Sequence, residues 1–195
     1  MEVADDPRYP IGRFRSNTDL SPAARPAQIQ TLRHLPDALK AAVAGLEGAR
    51  FHLIGHLQSN KTKKAAQLFA SIDTLDTPKL AVRLDAENKP LDVMIEVKLS
   101  AEESKSGAPE SEIGAIAAAV RASTNLKLRG LMTVPPWSED AELSRPYFAR
   151  LAALAARHGI EQLSMGMSHD LETAIEEGAT WIRVGTALFG RRVKP

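Results

Sequence analysis

Two short stretches in the last third of the chain each set a glycine beside a hydroxyl residue: Gly166-Met167-Ser168 and Gly185-Thr186. Both follow apolar runs that read as strands, and a helical pattern begins just after Ser168. Backbone N–H groups at the start of a helix attract anions, and glycine lets a ligand approach the main chain closely. A phosphate group is therefore one natural occupant. Serine ahead of a helix also serves as a plain N-cap, and on spacing alone both readings stay open.

Arg183 lies just upstream of the second stretch. Alternation along Trp181-Ile182-Arg183-Val184 puts Arg183 on one face with Trp181 and the two β-branched residues on the other. If Ile182 and Val184 pack under helices, Arg183 points into the interior near the ligand end. Glu96 shares a face with Met94 and Lys98 by the same rule. A charge inside a domain is costly unless paired or used, so an Arg183–Glu96 ion pair competes with a ligand role for Arg183. A third loop, Gly55-His56-Leu57-Gln58-Ser59-Asn60-Lys61, offers His56, with Asn60 as a possible cap for the next helix. No acid pair, metal-ligand cluster or nucleophile–base pair stands out.

These residues need a scaffold that brings strand ends together. From about residue 36 the pattern alternates. Leu39, Ala42, Val43 and Leu46 have helical spacing, and Phe51–Ile54 reads as a strand. Further strands are expected at Ile72–Leu75, Val93–Val97, Leu126–Met132, Leu163–Met165 and Trp181–Val184. Between them come helices from about Lys61, through Leu80, Ala81 and Leu84, through Ile113, Ile116, Ala117 and Val120, through Tyr147, Leu151 and Leu154, and through Leu171, Ala174 and Ile175. Strands alternating with helices at this interval mean parallel βα units in an α/β fold. The choice is an open doubly wound sheet or most of a (β/α)8 barrel, and 195 residues is slightly short of a complete barrel, which runs to about 250 residues and rarely below roughly 200.

Composition narrows the function classes. The chain is 44% hydrophobic and 25% charged, the ordinary globular balance. It has no cysteine, which excludes a disulfide framework, thiolate metal ligands and a cysteine nucleophile. With 25 basic against 24 acidic residues, nothing points to a polyanion or a membrane surface as partner. No apolar run approaches the ~18 residues of a membrane span, and MEVADDPRYP does not look like a secretory signal. A cytoplasmic protein is expected. Residues 1–28 carry Pro7, Pro10, Pro22 and Pro26 without apolar periodicity and read as an irregular arm, leaving 29–195 as the barrel domain.

Four strings carry a resemblance: FHLIGHLQSNKTKKA (51–65), IEVKLSAEESKSG (95–107), LRGLMTVPP (128–136) and LSMGMSHDLETAIEEGATWIRVGTALFGRR (163–192). Together they resemble the pyridoxal phosphate homeostasis protein family, whose fold is like the alanine racemase N-terminal domain. The resemblance implies a TIM-barrel-like (β/α)8 fold with pyridoxal 5′-phosphate (PLP) at the C-terminal mouth. It implies that Ser168, Gly185 and Thr186 hold the phosphate, that Arg183 faces the pyridine nitrogen, and that Met167 and His56 border the cofactor. It further implies a PLP carrier or buffer, monomeric in the family, with little or no catalysis and no metal. The alternatives are a PLP-dependent racemase-like enzyme or a barrel fragment without function.

The sequence departs from the family near its start. The family's first strand bears a Ser-Lys pair whose lysine forms the Schiff base with PLP, and a Gly-Glu-Asn string follows its second strand. Here the first lysine is Lys40 and Gly-Glu-Asn does not occur. The expectation is a barrel lacking its first two strands, a cofactor held without a covalent bond, and self-association through open strand edges. Lys98 stands where many relatives have asparagine.

Overall fold

The computed structural model describes residues 50–102 and 106–190. The expected arm, the helix through Leu39 to Leu46, and Lys40 and Lys105 lie outside the described residues. Six strands form one parallel sheet in sequence order: β1 (His52–Leu53), β2 (Ser71–Leu75), β3 (Leu91–Glu96), β4 (Leu126–Met132), β5 (Gln162–Met167) and β6 (Trp181–Arg183). Between them run α1 (Thr62–Leu68), α2 (Pro78–Asp85), α3 (Ile113–Ala122), α4 (Arg145–His158) and α5 (Leu171–Glu176), and α6 (Thr186–Phe189) follows β6. Consecutive strands pairing in parallel through helical crossovers give one curved wall of a barrel, the TIM-barrel-like α/β fold that the resemblance implies. Among the described residues β1 and β6 are the two edges.

Two chemistries line the sheet. The outward side chains Ile72, Val93, Ile95, Leu131, Leu163 and Met165 pack against Leu80, Leu84, Ile113, Ile116, Phe148, Leu151 and Leu154 of the helices. This apolar layer supplies most of the driving force, at about 25 cal/mol per Å² of apolar surface buried. The inward positions are mixed. Met94 and Met132 are buried there alongside Asp73, Glu96 and Ser164. At the N-terminal end of the sheet, His52 of β1 and Trp181 of β6 meet with ring centroids 5.4 Å apart, so the first and last strands curl toward each other. Asp73 accepts there from Ser71 Oγ and lies 3.0 Å from His52 Nδ1, while Trp181 Nε1 donates to Gln162 at 3.2 Å.

Two helical details differ from expectation. In α4 the fully buried aromatic is Phe148, and Tyr147 is only half-buried, because the stripe runs Phe148, Leu151, Leu154, Ala155 at intervals of three, three and one. In α5 Thr173 and Ala174 are buried and Ile175 is exposed. This short helix at the last strand has no described neighbour beyond it, and Ile182 of β6 is exposed for the same reason.

The start of α2 is locally encoded. Thr77 adopts extended backbone, its hydroxyl accepts from the Leu80 amide at 3.2 Å, and Pro78 fills the first helical turn, where no amide donor is needed. Thr77→Ala is expected to cost about 1 kcal/mol of stability, read as a shift of the urea midpoint at unchanged slope.

Candidate functional site

At the C-terminal ends of β4, β5 and β6 three loops are held together by a few polar residues. Arg183, the last residue of β6, projects inward as alternation requires. Its two terminal nitrogens donate to Ser164 Oγ and to the Thr133 carbonyl, each at 2.8 Å. Burial draws its pKa below the ordinary guanidinium value, opposed by the charges of Asp170, Asp73 and Glu96 in that order. Arg183 is thus a hub facing three carboxylates, with Glu96 third among them. A guanidinium has five N–H donors, and two are used by Ser164 and Thr133, which leaves donors for a ligand.

Ser168 does not cap the helix that follows it; that position belongs to Asp170. The Ser168 hydroxyl instead accepts from the amides of Gly185 at 3.2 Å and Ala187 at 3.1 Å. An oxygen atom therefore already occupies the place where two amides converge. Gly185 has φ −116°, open to any residue, and a Cβ built there meets nothing within 4 Å. The fold leaves free space over this glycine. Thr186 opens α6 directly beside it and is exposed.

Met167 closes β5 in register with Arg183, and its amide donates to Asp170 Oδ1 at 2.7 Å. The other Asp170 oxygen accepts from Ser144 Oγ at 2.9 Å, so one buried carboxylate ties the β5 loop to the segment after β4. Asp170 was not singled out from sequence. Its signal was an aspartate three residues after a strand end, where a carboxylate folds back onto a backbone amide. Behind it Arg145 binds Glu142 and Glu176 at 2.6 Å and Glu177 at 2.9 Å, joining the turn before α4 to the end of α5. The Glu142 hydrogen bond is the main reason the Arg145 pKa is raised and the Glu142 carboxyl is held below its ordinary value.

His56 lies elsewhere on the mouth. Its Nδ1 is 3.5 Å from Asp76, and its ring borders a cavity of about 200 Å³ walled by Gly55, Glu96, Lys98, Ser106 and Val134. The site residues named from sequence therefore fall into two groups. Met167, Ser168, Arg183, Gly185 and Thr186 gather on β5 and β6, while His56 lines the β1–β3 side. Among the described residues no three His, Cys, Asp or Glu side chains gather as a metal site, and no helix is long and apolar enough to cross a membrane.

Comparison with known proteins bears on the family and the fold. The family model described as alanine racemase, N-terminal domain, matches residues 19–193, beginning well ahead of the strings that carried the resemblance. A pyridoxal phosphate homeostasis protein of Pseudomonas aeruginosa is 42% identical over 190 residues, covering 91% of this chain and 82% of its own length. One of Escherichia coli K12 is 43% identical over 157 residues, covering 76% and 67%. The structure of PipY from Synechococcus elongatus with PLP bound superposes with a TM-score of 0.72 at 34% identity, covering 80% of this chain and 77% of that one.

Proposed function

We propose, from the premise that this chain belongs to the pyridoxal phosphate homeostasis protein family, that it binds PLP at the C-terminal mouth and acts as a cytoplasmic carrier of the cofactor. One observation carries the reading: the Ser168 oxygen sits between the Gly185 and Ala187 amides, with open space over Gly185. A phosphate oxygen can take over the two amides, and the freed Ser168 hydroxyl can then donate to the phosphate. Thr186 would add a hydroxyl on the open side. Arg183 would meet the pyridine nitrogen with a donor that does not release its proton near neutral pH, which favours an uncharged ring. Met167 would border the ring, and His56, from the β1 side, would border the mouth.

When bound, PLP supplies an aldehyde that condenses with amines and a ring that withdraws electrons. An uncharged ring withdraws them weakly, so Arg183 would limit the strength of the electron sink. The residues proposed here hold the cofactor by its phosphate and ring, without a bond to lysine. The test is retention of PLP after desalting, with competition by inorganic phosphate. Ser168→Ala is expected to weaken PLP binding roughly ten- to a hundredfold, since a hydrogen bond to a charged group contributes about 1.5–3 kcal/mol. Failure of the unaltered protein to bind PLP, or equal affinity in the variant, would overturn the assignment. Enzyme-like exchange of an amino acid's α-hydrogen would replace the carrier with an enzyme.

A further inference from the structure

The loop between β4 and α4 is fixed at both roots to the segment that carries Ser168. At one root Thr133 is buried; its amide donates to the Ser164 carbonyl at 3.2 Å, its hydroxyl to Val97 at 2.9 Å, and its carbonyl accepts from Arg183. At the other, Ser144 donates to Asp170, which also holds the Met167 amide. Within the loop Ser138 Oγ accepts from the Asp140 amide at 3.1 Å, and Asp140 in turn accepts from the Glu142 amide at 3.0 Å. The span in between presents Trp137, which is 72% exposed and whose principal aromatic contact is His169, ring centroids 6.1 Å apart. His169 directly follows Ser168. A large apolar ring is thus held in water against His169, the residue next to the Ser168 whose hydroxyl accepts from the Gly185 and Ala187 amides.

We propose that Trp137, backed by His169, is a retaining residue that packs over the cofactor at the mouth and sets how fast it leaves. This rests on the PLP-binding reading above. An indole offers a flat apolar face suited to an aromatic ring and an N–H suited to a phosphate oxygen. The roots of its loop are tied to Arg183 through Thr133 and to the Met167 amide through Ser144 and Asp170, so the loop shares its anchors with the β5 and β6 ends that carry the site. Covering a ligand after it has docked slows escape more than entry, as most affinity differences between related complexes lie in dissociation.

The experiment uses the full chain loaded with PLP. Trp137→Ala is expected to speed PLP release roughly tenfold after rapid dilution, with association little changed, and Trp137→Phe to restore most of the retention. Thermal melting and circular dichroism of both variants should match the unaltered protein, because the indole is mostly exposed. A second readout separates a contact from a remote effect. With two tryptophans in the chain, PLP loading should quench indole emission in the unaltered protein and in Trp181→Phe, and the quenching should largely vanish in Trp137→Phe. If the unaltered protein binds PLP and Trp137→Ala releases it at the same rate, or if quenching survives in Trp137→Phe, the inference is overturned while the binding site stands. If the unaltered protein binds no PLP, both fall together.

Discussion

Arg183→Ala is expected to destabilise the protein by about 3–5 kcal/mol, the range seen when one partner of a buried charge cluster is removed. Two hydrogen bonds disappear, to Ser164 and to the Thr133 carbonyl. An electrostatic effect adds to this, because the charges of Asp170, Asp73 and Glu96 all favour the Arg183 cation and lose its attraction. All three are buried, so water does not readily take the place of the guanidinium. For a chain of this size the loss corresponds to a fall in melting temperature of roughly 10 °C or more. Arg183→Lys keeps the charge but cannot bridge two acceptors with a planar fork, so it should fall between the parent and the alanine variant. The measurement is paired calorimetry or denaturant titration of the three proteins. An Arg183→Ala protein as stable as its parent would mean that the guanidinium is a ligand group alone and not part of the fold.

Gly166→Ala is expected to damage both stability and binding. Gly166 has φ +86°, a conformation that residues with a Cβ adopt only at a cost of roughly 1–2 kcal/mol. A Cβ there would also lie 2.5 Å from the Cβ of Ala174, inside the contact between β5 and α5. Relieving that overlap adds typically 1–3 kcal/mol. The two effects sum to about 2–5 kcal/mol. Because Met167 and Ser168 follow immediately, relaxation would move the Ser168 hydroxyl away from the Gly185 and Ala187 amides. PLP retention should therefore fall further than in Ser168→Ala. A urea titration with a PLP binding curve on the same variant checks both halves, and unchanged values in each would show that β5 can shift without disturbing the loop.

The strand positions could be read from sequence because each strand is a short apolar run bounded by helical periodicity, while periodicity alone left a doubly wound sheet and a barrel equally open. Every strand from Phe51 onward was found within a few residues of its expected place. Local details were harder where neighbours decide. Tyr147 and Phe148 are adjacent aromatics, and periodicity alone does not say which one falls on the buried stripe; the sheet beneath α4 selects Phe148. Ile175 looked inward by spacing, yet burial needs a partner, and α5 borders the last described strand. At the site, residue type located Arg183 and the two loops, since a charge in an apolar strand and glycines at strand ends are visible without a structure. The particular bonds were not visible. Ser168 could be read as a cap or an anion ligand, and only the fold brought the Gly185 and Ala187 amides to it across the β5–β6 interval. Asp170 escaped notice because a carboxylate ahead of a helix usually reads as a simple cap, and its second partner, Ser144, lies 26 residues away.

The contact between His52 and Trp181 joins the first and last described strands, which no backbone hydrogen bonds connect. Asp73 and Ser71 are bonded just beside His52. Two side chains thus bridge the curl of the sheet at the end away from the loops, where a hydrogen-bonded ladder is absent among the described residues. Removing either ring should let β1 and β6 splay at that end first, far from Ser168 and Gly185.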